Sequence, residues 1–246
     1  MIMLFCNINF NILKKDQLFE RNENETKCIA TVNAQFIVLA NKNERYMNYI
    51  NNNYSTFDGE IPLKNAKRFN RFFANVEKLP GSEIIYDFCD YAKKNNLSIF
   101  LLGGYKDSNL SAIKKIAEIY KVKIDGYSPD YENYPFSEIF TNDCISRINY
   151  FKPDILFVGF GAPKQEYFIE DNVNIFNKIK IKYVIGCGGT FEFVSGKIQR
   201  APIWIQKVGI ESLFRLINEI SWARIHRILY SFNFYKYIKS KPDWVK

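Results

Sequence analysis

Short uninterrupted apolar runs alternate along the chain with longer stretches in which apolar residues recur every three or four positions. KCIATV is followed by an amphipathic stretch to Asn52, SIFLLGG by SNLSAIKKIAEIY and DILFVGF by PKQEYFIEDNVNIF, before KYVIGCGG closes the series. Ile99-Phe100-Leu101-Leu102 and Ile155-Leu156-Phe157-Val158 are apolar at every position, as expected of strands covered by helices on both faces of a parallel sheet. The pattern predicts an α/β fold built on an open, doubly wound, mainly parallel sheet. After Gly209 it changes to one long helical tract in which Leu213, Leu216, Ile217, Ile220, Ile225, Ile228, Leu229 and Phe232 share helical spacing. A core over residues 1–208 and an appendage over 209–246 follow as the expected division.

Three strands run into glycine: Gly103 and Gly104, Gly159 and Gly161, then Gly186, Gly188 and Gly189. In a Rossmann-like sheet ligands bind outside the carboxyl ends of the strands, where glycine lets backbone amides and helix N-termini approach phosphate. Each glycine alone would equally suit a tight turn. Neither GxGxxG nor GxxxxGK[ST] is present, which argues against dinucleotide-dependent redox chemistry and P-loop phosphoryl transfer.

Composition narrows the picture. With 47% hydrophobic and 17% aromatic residues in 246, the chain has ample material for a core. No apolar run reaches the roughly 18 residues of a bilayer span, and the N-terminus lacks a basic leader, which predicts a cytoplasmic protein. Five cysteines without metal-ligand spacing suit a reducing compartment and no zinc site. Of the net charge of +8, most sits in the tail, where residues 201–246 hold eight Lys or Arg against three Asp or Glu. Arg215, Arg224, Arg227, Lys236 and Lys239 interleave with the apolar stripe. That pattern suits a helix lying in a lipid interface, and equally a core-packed helix with a solvated basic face. The lone His226 reads as a surface residue in this basic stretch. A nucleic-acid groove is disfavoured, since the aromatics fall mostly in apolar runs that belong to the core.

The chain resembles the WecG/TagA/CpsF family of glycosyltransferases from about Cys28 to about Arg227. The likeness is carried by T-V-N at 31–33, D-G at 58–59, L-P-G-S at 79–82, L-L-G-G at 101–104 and G-Y-S-P at 126–129. It continues through V-G-F-G-A-P-K-Q-E at 158–166, G-C-G-G-T-F-E-F-V-S-G at 186–196, R-A-P-I-W at 200–204 and G-I-E-S-L-F-R at 209–215. The resemblance implies an inverting transferase, independent of metal and of any cofactor. The donor would be a UDP-sugar, commonly of the N-acetylmannosamine type. The acceptor would be an undecaprenyl-diphosphate-linked sugar at the inner membrane face, used in building teichoic acid, common antigen or capsule. A homo-oligomer that responds to the membrane is among its implications, and the tail would bring the protein to an anionic membrane surface. A non-catalytic nucleotide-sugar or membrane-binding scaffold is the alternative.

An inverting displacement needs a general base and a means of stabilising the departing diphosphate. Asp58 matches the family's Asp-Gly aspartate and is the candidate base, in a turn-like stretch STFDGE; by its chemistry alone Asp-Gly would also simply make a turn. Thr31 and Asn33 follow an apolar strand and either meet sugar hydroxyls or cap the next helix. Gln165 resembles the family's substrate-contacting glutamine, and Glu166 either joins it or is a first-turn acid favoured by the helix dipole. Gly103, Gly104, Gly161, Gly188 and Gly189 complete the expected donor cleft. No Asp-x-Asp pair is present to clamp a cation, so the charge of the leaving group falls to amides or to Arg215, Arg224 and Arg227, the matching C-terminal arginines. Lys78 stands where many relatives carry arginine, keeping the charge but not the forked geometry. Ser212 and Ile220 replace a tryptophan and a proline of the family pattern.

Overall fold

The structure is a computed structural model that describes residues 2–199, 202 and 222–245. Its elements run β1 (Met3–Phe5), β2 (Ile8–Phe10), β3 (Lys27–Val32), α1 (Ala34–Lys42), α2 (Glu44–Asn52), β4 (Tyr54–Phe57) and α3 (Glu60–Phe69). They continue with α4 (Gly81–Asn95), β5 (Ile99–Gly103), α5 (Lys106–Tyr120), β6 (Ile124–Tyr127), α6 (Glu138–Phe151), β7 (Ile155–Gly159), α7 (Lys164–Lys178), β8 (Tyr183–Gly186) and α8 (Thr190–Ser195). Helix α9 (Trp222–Phe232) and a 3₁₀ turn, Asn233–Ile238, follow.

Six strands form one sheet in the order β4-β3-β8-β7-β5-β6, and the pairs β3/β8, β8/β7, β7/β5 and β5/β6 are all parallel. The α/β architecture with a helix-flanked parallel sheet is therefore the one the apolar pattern predicts. The runs read as doubly covered strands are β5 and β7; Ile99–Leu102 and Ile155–Val158 are all buried, nearly all of them completely.

The chain divides into two compact units. The first comprises residues 1–20, 31–80 and 200–246, the second 21–30 and 81–199, so that β3 begins in the second and ends in the first. The first unit opens with the antiparallel hairpin β1/β2, whose two-residue turn, Cys6-Asn7, has both φ values positive at 50° and 66°, as the twist of a tight hairpin requires. Its core is aromatic: Phe10 stacks on Phe57 at 3.6 Å between centroids, while Phe73 meets Phe57 and Phe5 edge-on. Helix α9 and the 3₁₀ turn pack on α1. Asp243 donates its amide to the Asn41 carbonyl at 2.8 Å, which ties the end of the chain to the same helix.

The amphipathic stretch to Asn52 is two helices. Asn43 ends α1 in extended conformation and starts α2, its side chain accepting from Tyr46 N at 2.9 Å, so a polar residue that caps well interrupts an otherwise continuous apolar period. In the predicted C-terminal tract, α9 covers Trp222–Phe232, and residues 203–221 lie outside the described residues. The cysteines Cys6, Cys28, Cys89, Cys144 and Cys187 are all free and buried. Burial pushes the thiols of Cys6, Cys28, Cys89 and Cys144 up to about 12 and that of Cys187 higher still. Among the described residues no helix is long and apolar enough to cross a membrane.

Candidate active site

In the first unit the candidate base stands at a strand end. Ser55, Thr56 and Phe57, expected as part of a turn, form buried strand β4, and their polar atoms are satisfied: Ser55 Oγ donates to Asn9 O at 2.6 Å and Thr56 Oγ1 to Leu79 O at 2.8 Å. Asp58 leaves this strand half-buried, with its amide bonded to Val32 O at 2.9 Å, and Gly59 begins α3. The surroundings are a packed strand end, which gives the carboxylate a fixed position. Asn33 takes the capping role considered for it and adds a bond to Asp58. Its Oδ1 caps α1 by accepting from Gln35 N and Phe36 N at 3.0 and 3.3 Å, and its Nδ2 donates to Asp58 Oδ2 at 3.3 Å. One asparagine thereby fixes the start of a helix and holds the acid at the end of the neighbouring strand. Thr31, two residues earlier on β3, is buried. Lys78, on the segment bridged to Phe57, lies 3.7 Å from Glu60 and keeps a cation within two residues of Asp58 along α3's start.

In the second unit the glycine-ended strands build a laced set of turns. Gly103, Gly104, Gly161 and Gly188 have φ of +92°, +70°, +79° and +52°. A Cβ at Gly103 or Gly104 would come within 2.7 Å of Phe160 or 2.8 Å of Phe191, whereas at Gly161 and Gly188 it would meet nothing within 4 Å. The first pair is glycine for both conformation and crowding. The second is glycine for conformation alone and leaves open space over the turn.

Gln165 and Glu166, in the first turn of α7, are both completely buried. Gln165 Oε1 accepts from Gly161 N at 3.1 Å and from Gly188 N at 2.9 Å, and its Nε2 donates to Glu166 Oε1 at 2.7 Å. The side chain expected to touch substrate thus latches the turn after β7 to the turn after β8. A Cβ at Gly186 would stand 3.0 Å from Gln165 Nε2 and 3.1 Å from Glu166 Oε1, so this strand end carries no side chain because the pair occupies its place. The amide of Gly104 donates to Gly159 O at 3.0 Å and Ser128 Oγ to Gly104 O at 2.6 Å. The amides of Gly104, Gly161 and Gly188 therefore donate within the protein, and what these turns offer a ligand is room and a fixed outline.

One residue of this cluster went unmarked in the sequence. Glu192 in α8 is 6% exposed, its Oε2 has no hydrogen-bond partner among the described residues, and a Cβ at Gly189 would lie 3.2 Å from that oxygen. A buried acceptor facing a glycine turn is suited to a hydroxyl donor. The signal was available: an acid inside the otherwise apolar run Phe191–Val194, which one threonine separates from two glycines. Among the described residues no group of three or more His, Cys, Asp or Glu side chains is gathered as a metal site. Of the tail arginines, Arg215 lies outside the described residues, Arg224 belongs to α9 with its side chain outside the description, and Arg227 is exposed on α9.

The sequence model of the glycosyl transferase WecG/TagA/CpsF family matches residues 3–242. The chain belongs to this family. It is 31% identical over 200 residues to the N-acetylglucosaminyldiphosphoundecaprenol N-acetyl-beta-D-mannosaminyltransferase of Bacillus subtilis (strain 168), covering 80% of this chain and 74% of that one. It is 29% identical over 204 residues to the protein of the same name from Staphylococcus aureus (strain MRSA252), covering 81% and 74%. As a WecG/TagA/CpsF glycosyltransferase the chain is an enzyme, and the two clusters above contain several of the motifs on which the resemblance rests.

Proposed function

We propose that the enzyme transfers a sugar of the N-acetylmannosamine type from a UDP-sugar to the sugar of an undecaprenyl-diphosphate-linked acceptor, with inversion and without a metal ion. The observation that carries this reading is the Asn33–Asp58 pair: a half-buried carboxylate at a strand end, oriented by an amide at 3.3 Å. The names of the relatives support the choice of donor and acceptor.

In the proposed step Asp58 takes the proton from the acceptor hydroxyl as its oxygen bonds to the anomeric carbon. The bond from that carbon to the diphosphate oxygen breaks on the opposite side, and UDP departs. The Asn33 amide engages one carboxylate oxygen and so fixes the orientation of the acid. The open space at Gly161 and Gly188 gives room for the donor, Glu192 accepts from one of its hydroxyls, and the charge of the leaving group falls to the C-terminal arginines Arg215, Arg224 and Arg227. The acceptor is lipid-linked, so the protein works at the inner membrane face. Exposed Trp222, Leu229 and Phe232 on α9 support that placement for the tail.

The test is UDP release by the purified chain over a panel of UDP-sugars, with and without a short-chain prenyl-diphosphate-GlcNAc acceptor, in the presence of EDTA. Acceptor-dependent release that survives the chelator is expected. Asp58→Asn should fold with an unchanged melting profile and lose roughly 10²–10⁴-fold in turnover, the ordinary contribution of a general base. Turnover retained by Asp58→Asn, or abolished by EDTA, would overturn the assignment.

A further inference from the structure

The tail is not the first unit's one exposed apolar and basic surface. Six successive residues from Lys67 to Phe72, spanning the end of α3 and the turn after it, are all exposed, with Phe69 at 54% and Phe72 at 69%. The rings alternate with cations: Lys239 Nζ sits 5.8 Å from the centroid of Phe69, and Arg71 Cζ 5.9 Å from that of Phe72. A cavity of about 330 Å³ opens beside Phe69, between Leu4 on β1 and the segment carrying Lys239 and Lys241. Ile2 and Leu4 occupy alternate positions of the hairpin edge and are each 64% exposed. The Phe5–Phe73 contact holds the hairpin to the turn after α3.

The charge on this surface is uncompensated. Lys67, Arg68, Arg71, Lys239 and Lys241 form no ion pair among the described residues, while the nearby acids are engaged elsewhere, Glu60 with Lys64 and Lys78 and Asp243 with Lys236. Single exposed apolar side chains are ordinary on a protein surface. Two phenylalanines and two aliphatic residues among cations without an acidic partner, around an open cavity of mixed polar and apolar lining, are the composition of a surface at the boundary between headgroups and acyl chains. There the rings sink into the interface and the long basic side chains keep their charges at the phosphates.

We propose that this face of the first unit, formed by β1, the end of α3 and the 3₁₀ turn, binds an anionic lipid bilayer, so that residues of the core share in a membrane contact otherwise expected of the tail alone. A single-stranded nucleic acid is the poorer fit, because Ile2 and Leu4 offer no ring for a base to stack on. The proposal deepens the membrane part of the proposed function. Its test reads vesicle binding, so it fails separately from the transfer reading.

The experiment is sedimentation of the full chain with vesicles of phosphatidylcholine alone or with roughly one-third phosphatidylglycerol. A cation near an anionic surface is worth about fivefold in partitioning, so Arg68→Gln/Arg71→Gln should weaken binding to the anionic vesicles roughly 25-fold. Phe69→Ser/Phe72→Ser should weaken it at least about tenfold. Lys114→Gln, a charge change in the second unit, should shift it less than about twofold. In each variant, UDP release with a water-soluble acceptor should be unaltered. Phe72→Trp gives a second readout: its emission, taken as the difference from the wild type with its three tryptophans, should move to the blue when anionic vesicles are added and be quenched by brominated lipid. Wild-type binding by both double variants, no shift in Phe72→Trp emission beyond that of the wild type, or stronger binding to an oligonucleotide than to vesicles would each overturn the proposal.

Discussion

Gln165→Met should destabilise the protein strongly, although the position is a candidate for substrate contact. Methionine fills nearly the same volume, so the change isolates the hydrogen bonds. Three are lost: those from Gly161 N and Gly188 N to Oε1, and that from Nε2 to the Glu166 carboxylate. Two ordinary bonds at about 1 kcal/mol each, and one to a carboxylate at about 1.5–3, give a loss of about 4 kcal/mol. In a protein of this size each kcal/mol moves the melting temperature by about 2–4 °C, so a drop of roughly 10 °C is expected by calorimetry. Gln165→Glu keeps the acceptor for both amides but sets a second carboxylate where Nε2 meets Glu166 Oε1. Repulsion between the two raises the affinity of the folded state for a proton. The folded protein then binds protons the unfolded chain does not, so this variant should be weakest at neutral pH and recover as pH falls. A Gln165→Met protein that melts within about 2 °C of the wild type and loses only turnover would refute the latch and leave Gln165 as a ligand contact alone.

Further expectations follow from other contacts. Asn33→Ser keeps a cap for α1 and should cost less than about 1 kcal/mol, yet it removes the donor to Asp58 and should lower turnover; equal loss of both, measured by urea unfolding and UDP release, would show that only the cap matters. Gly188→Ala places a Cβ in open space at positive φ, so it should cost only about 1 kcal/mol while weakening UDP binding by calorimetric titration. Gly103→Ala, against Phe160, should by contrast lose several kcal/mol. Burial works against ionisation of Asp154, but hydrogen bonds from Ser98 N and Oγ at 2.8 and 2.9 Å and the Lys182 ammonium at 2.9 Å outweigh it and hold the carboxyl below 3.8. A depressed value in the folded state stabilises above the ordinary carboxylate range and is lost as pH falls through the lowered one. Asp154→Asn should thus be less stable than wild type at pH 7, and the gap should close in acid denaturation below about pH 4.

The strands most legible in the sequence, β5, β7 and β8, are those buried on both faces, where no polar residue interrupts the run. Edge strands were hidden for the converse reason. β4 carries Ser55 and Thr56, buried but satisfied by backbone carbonyls, and β6 is half-exposed Ile124–Tyr127 with a glycine in its middle. Neither has the apolar signal on which a strand is recognised. In the site, residue type and order identified Asp58, Asn33 and Gln165. They did not reveal which way each side chain turns. A buried glutamine that joins two turns and an exposed one that meets a ligand occupy the same place in a motif, and only the absence of a side chain at Gly186 distinguishes them.

The five shielded thiols give the protein a set of built-in reporters. They are distributed over the β1/β2 turn, β3, α4, α6 and the turn after β8, all un-ionised at neutral pH and out of reach of reagent. Each can be alkylated only when its own element opens, so the rate at which a given cysteine is modified under native conditions measures the local opening of that part of the fold. Cys187, next to the Gln165 latch, would register the loosening of the donor turns, while Cys6 would register release of the hairpin edge. One natural sequence thus carries separate gauges for its candidate active site and for its proposed membrane face.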